Sequence, residues 1–113
     1  MEHLRDAAES IRKFNLATLR TTALAGPPDV SDVVQSLITI VHRIPQALEQ
    51  TSGALQRHHR EGSIRMDDGS DPRPAVLTAE ENLTAAEVDL TDDILPLLKK
   101  AGAATARMGT TRV

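Results

Sequence analysis

Eight residues, Val30, Val34, Leu37, Val41, Ile44, Leu48, Thr51 and Leu55, recur at alternating spacings of four and three, and no other feature constrains the fold as tightly. At 100° per residue this spacing keeps side chains on one line of an α-helix, whereas a strand would alternate every second residue. Sustained over residues 30–55, it defines a seam made to meet another helix. Pro45 lies inside the run, where it removes a backbone donor and disfavours helix at Ile44. The register nevertheless continues through it. One kinked helix over about 29–61 is therefore expected, with Asp29 or Ser31 as its N-cap.

The breaks on either side divide the chain into three helical segments. Gly26-Pro27-Pro28 closes the first and Gly62 to Pro74 the second, with Asp67-Asp68-Gly69-Ser70-Asp71 in between. Segment one, about 2–25, places Leu4, Ala7, Ile11, Phe14, Thr18, Thr21 and Ala25 on one face. Leu16, Leu19 and Ala23 lie a third of a turn away, and Glu9 precedes Lys13 in the favourable acid-before-base order. Segment three, about 74–109, sets Val76, Leu83, Leu90, Leu97 and Ala104 seven apart, joined by Ile94, Ala101 and Met108. Glu80 and Glu87 edge this stripe, where an Arg on a neighbouring helix would pair with them and set register. Thr78-Ala79-Glu80-Glu81 matches a capping box, Pro72 or Pro74 suits an earlier first turn, and Pro96 is a second kink.

These patterns predict an all-α fold: one domain over 1–113, a three-helix bundle with helices about 2–25, 29–61 and 74–109. The last two form a long antiparallel helical hairpin through the 62–73 loop. A chain of 113 residues buries only about 60–70% of its unfolded surface, so added burial through oligomerisation would help it. The core is aliphatic, since Phe14 is the only aromatic residue.

Composition narrows the chemistry. With one aromatic residue there is no stacking platform for single-stranded nucleic acid and no aromatic cage for a methylated cation. Without cysteine there is no disulfide framework, thiol catalysis or thiolate metal site. Met1-Glu2-His3-Leu4-Arg5-Asp6 carries charge where a signal peptide needs an apolar stretch, and no segment reaches the roughly 18 apolar residues of a membrane span, so a cytoplasmic location is expected. Residues 67–93 hold nine acidic groups against Arg73 alone, while 94–113 hold four basic groups and no acid. Complementary segments of this kind suit helix-to-helix packing. The short tail of Lys99, Lys100, Arg107 and Arg112 is not the extended basic face that duplex binding uses.

Residues that could hold a metal are poorly spaced for it. His58 and His59 are adjacent and diverge by 100° on a helix, and no His-x3-His is present. In Asp67-Asp68-Gly69-Ser70-Asp71 the glycine comes too early for a calcium loop, and the closing position is Thr78, not Glu. The acidic run Glu80, Glu81, Glu87, Asp89, Asp92, Asp93 resembles in part the magnesium-binding carboxylates of all-helical nucleotide pyrophosphohydrolases. Their Glu-Glu-x-x-Glu becomes Glu80-Glu81 with Thr84, and their later Glu-x-x-Asp becomes Asp89-x-x-Asp92. Helical spacing spreads these carboxylates over three lines. Arg5, Arg12 and Arg43 are the residues that inward-facing roles like those of small all-helical mutases would need. Ser, His and Asp form no nucleophile motif, and no glycine-rich phosphate loop is present.

The expectation is a non-enzymatic interaction and assembly module with no cofactor, which self-associates, most simply as a dimer, or binds a helical protein partner. Val30, Val34, Leu37, Val41, Ile44 and Leu48, with Leu83, Leu90, Ile94 and Leu97, would carry the contact. Two other readings stand beside it: a small metal-dependent hydrolase using the carboxylates of segment three, and an antitoxin-like or transcription-regulator partner. Spacing alone leaves open whether the seam is the chain's own core or its interface.

Overall fold

The computed structural model describes residues 1–20 and 22–111. Thr21 of the expected face of segment one and Arg112 of the basic tail lie outside them. Helix α1 spans Glu2–Ala17, α2 Pro27–Arg60, α3 Arg73–Asp89 and α4 Leu95–Thr105, with a π-helical turn Leu90–Ile94 joining the last two into one rod. The fold is all-α, and no strand occurs among the described residues.

Helix α2 is a single element with Pro45 inside it, as the seam demands. It begins at Pro27 and Pro28, where missing N–H groups cost nothing, and its cap is Gly26, in place of the expected Asp29 or Ser31. Asp29 instead reaches back from the first turn to accept the Ala25 N–H at 3.1 Å, bracing the joint ahead of the helix. At the other end Gly62, at φ 72°, lets the chain turn. The Gly62 N–H donates to the His59 carbonyl at 3.1 Å and the Ser63 N–H to the His58 carbonyl at 3.0 Å, a Schellman closure of the last turn. Gly62→Ala should cost about 1 kcal/mol, because a Cβ is disfavoured at this φ, with nothing nearby for it to touch. A urea titration would check it.

Segment one stops well short of residue 25. The Thr18 hydroxyl donates back to the Phe14 carbonyl at 2.9 Å, and the chain leaves the helix there. Helix stability comes chiefly from packing, and α1 has none to extend it: its backbone stays more than 8 Å, Cα to Cα, from every other helix among the described residues. Glu9 pairs with Arg12 and not with Lys13, donor to acceptor 2.9 Å from Nε. Segment three takes the earlier of its two expected starts, with Pro74 in the first turn and the Arg73 N–H on the Asp71 carboxylate at 3.0 Å.

Helix α2 is covered by α3, the π turn and α4. Gly102 of α4 lies against Val34, Gln35 and Ile38, and Thr110 reaches Gly26 at the start of α2. The least accessible side chains are Val76 at 4% and Leu95 at 6% exposure. On the second rod one covered line steps 76, 80, 83, 87, 90, 95, 98, 102, 105, and Ala79 is half-buried beside it. All steps but one are three or four. The step of five falls in the π turn, where the Leu95 N–H bonds to the Leu90 carbonyl. Pro96, which has no N–H and would crowd the carbonyl four residues back, is thereby set at the start of a fresh helix. The extra residue rephases the stripe. Ile94 and Leu97, which the heptad spacing places on the seam, stand 42% and 64% exposed, and Leu95, Leu98 and Gly102 take the inward line.

The molecule is long, 68 × 27 × 19 Å, with a radius of gyration of 19.4 Å. A compact chain of this length would have about 13 Å. Its accessible surface is 8976 Å². A compact monomer of the same mass exposes about 6,100 Å², so about 2,900 Å² is in excess.

Candidate functional site

Exposed large apolar side chains occur along the whole molecule, from Leu4, Ile11 and Phe14 of α1 and Leu37 and Ile40 of α2 to Leu77, Val88 and Leu97 of the second rod. On α2 the half-buried line under α3 and α4 is Val34, Ile38, Val41, Pro45, Leu48, Ser52, Leu55. It shares Val34, Val41, Leu48 and Leu55 with the expected seam but turns away Val30 and Leu37, which are exposed. The N-terminal half of α2 is apolar on two sides, and one line of spacing could not separate them. Of the remaining expected seam residues, Ile44, Leu83 and Leu90 are half-buried between the helices.

The second side of α2 faces α1 across an open cleft of about 570 Å³. One wall is Ala7, Ile11 and Phe14; the other is Val33, Leu37 and Ile40. Both walls follow the same four-and-three helical spacing, which is why each chain segment presents a continuous apolar ridge. Ser10, Asn15, Asp32 and Ser36 form the rim. The residues of α1 escaped the expected contact set because Ala7 and Ser10 are small and the run is short. Its legible signal was the face from Leu4 to Phe14.

A second, polar groove of about 530 Å³ lies where the two interrupted helices meet. Pro45, His42, Gln46 and Glu49 of α2 face Glu87, Thr91, Leu95 and Lys99. The π turn at 90–94 and Pro45 meet at this groove. Glu49, Glu87 and Lys99 make no ion pair. Among the described residues Glu9 with Arg12 is the one pair within 4.0 Å, so Glu80 and Glu87 pair with no described Arg of this chain. The Arg12 guanidinium holds the Glu9 carboxyl below its ordinary value, on a fully exposed surface where such a pair adds little.

The other chemistry-bearing residues are scattered. Glu80 and Glu87 lie half-buried on the covered line, while Glu81, Asp89, Asp92 and Asp93 are exposed. Arg5, Arg12 and Arg43 are all exposed. His58 is engaged locally, its Nδ1 3.2 Å from the Ser63 hydroxyl. Asp68 accepts both the hydroxyl of Ser70 at 2.6 Å and its N–H at 3.0 Å, which lowers its carboxyl below the ordinary value and fixes the turn before α3. No group of three or more His, Asp or Glu among the described residues is placed to hold a metal ion. No helix of the described residues is long and apolar enough to cross a membrane. Comparison with known proteins adds no relative: no family model, no curated protein and no solved structure matches the chain.

Proposed function

We propose that the chain is a non-enzymatic helical interaction module. In this reading α2 and the α3–α4 rod form a long antiparallel hairpin that is the stable unit. The apolar faces of α1 and of the N-terminal half of α2 engage a helix from outside the chain. The observation that carries it is the surplus of about 2,900 Å² of accessible surface over a compact monomer. Part of it lies on two facing apolar ridges, whose Ile11, Phe14, Leu37 and Ile40 stay 39–41% exposed. Exposed apolar patches larger than a few hundred Å² mark interaction surfaces on soluble chains.

Sedimentation from micromolar to near-millimolar concentration, run beside binding of an environment-sensitive apolar dye, tests the reading. A species heavier than the 12.2 kDa chain, or a monomer that binds the dye in its folded state, is expected. A monomer at every concentration that leaves the dye unbound would overturn it, because its faces would then be closed within the chain.

A further inference from the structure

We propose that the occupant of the α1–α2 cleft is a second copy of this chain, whose own α1 packs antiparallel on this α1 about a two-fold axis, so that the two clefts are filled reciprocally. The inference rests on the interaction-module reading and names its partner.

Helix α1 is 16 residues long, and no residue of it is buried. An isolated helix of that length is marginal in water, so a lasting α1 needs cover for its apolar face. Its own α2 does not supply that cover. The backbones of α1 and α2 stay more than 8 Å apart, Cα to Cα, and Ile11 and Phe14 remain 41% and 39% exposed. The opening of about 570 Å³ suits the apolar ridge of one more helix. A whole helical cylinder of three turns would need about 1,500 Å³.

The self-complementarity that a two-fold contact requires is present in α1. Leu4, Ala7, Ile11 and Phe14 are spaced symmetrically about residue 9. In an antiparallel pair Leu4 layers with Phe14 of the second copy, and Ala7 with Ile11, small against large. The flanking positions nearest the axis are Ala8 and Ser10, each beside its own counterpart, so no like charges meet there. Ser10 already lines the cleft. The areas allow it as well. The surplus of about 2,900 Å² on each chain exceeds the area of about 800 Å² per partner that a specific interface of standard size covers.

The chain has no cysteine, so single thiols report geometry cleanly. Full-length Ser10→Cys under mild oxidation should form a covalent dimer, whereas Lys13→Cys, on the outer side of α1, should not. Ile11→Asp should raise the dimer dissociation constant at least 100-fold while leaving the helical content of the monomer unchanged. A dimer that survives Ile11→Asp, or one in which both thiols cross-link equally, overturns this proposal and leaves the module reading standing, with the contact elsewhere. A monomer at all concentrations overturns it too, and dye binding then decides whether the module reading goes with it.

Discussion

Leu95→Ala should lower the free energy of unfolding by about 2–5 kcal/mol, with a fall in Tm on the order of 10 °C, whereas Leu97→Ala should change it by no more than about 0.5 kcal/mol. The two leucines are two residues apart and chemically identical, and only their exposures differ, 6% against 64%. Leu95 is one of the few side chains this molecule truly removes from water, so truncating it leaves a void at the meeting of α2 with the π turn. Leu97 loses only solvent-facing methyl groups. Urea denaturation of both variants at low concentration, where association does not contribute, checks the pair. A larger loss for Leu97→Ala would mean that the second rod keeps its heptad phase through residue 97 with no π turn.

Gly102→Leu should destabilise by about 3 kcal/mol, at the upper end of ordinary overpacking, while Gly102→Ala should stay within about 1 kcal/mol of the wild type. A Cβ at 102 would sit 2.8 Å from Ile38 Cδ1 and 2.9 Å from Gln35 Nε2, with Val34 Cγ1 at 3.6 Å. The two closest atoms are the free ends of flexible side chains. They can swing aside for one methyl group, and the helix gains about 1 kcal/mol of propensity in return. A leucine adds three more carbons against Val34 and Ile38, and these have nowhere to go unless α4 moves off α2. A total stability of about 5–15 kcal/mol makes either loss a large fraction, and urea midpoints of the two variants separate the cases.

Much of the fold was legible because it depends on neighbours in sequence. Periodicity through residues 30–55 required a helix, and Gly26-Pro27-Pro28 and the 62–73 stretch required breaks. Each of these is a backbone property that Pro and Gly impose wherever they occur. Helix α2 accordingly runs through Pro45, and Gly62 closes it. The end of α1 was not legible: its apolar spacing continues past Ala17, yet among the described residues no other helix packs against α1 to extend it.

The candidate site lay further from view. A heptad line marks the mean apolar direction of a helix. It cannot say that α2 divides its apolar surface between α4 on one side and the cleft on the other. Nor can it register the one extra residue that Pro96 draws into the π turn, which exchanges Leu97 for Leu95 by rotating everything after it about 100°. Local stereochemistry therefore settles which stretches are helical and where they stop. Phase and facing come from contacts between residues tens of positions apart, such as Gly102 with Ile38, whose energies no single segment contains.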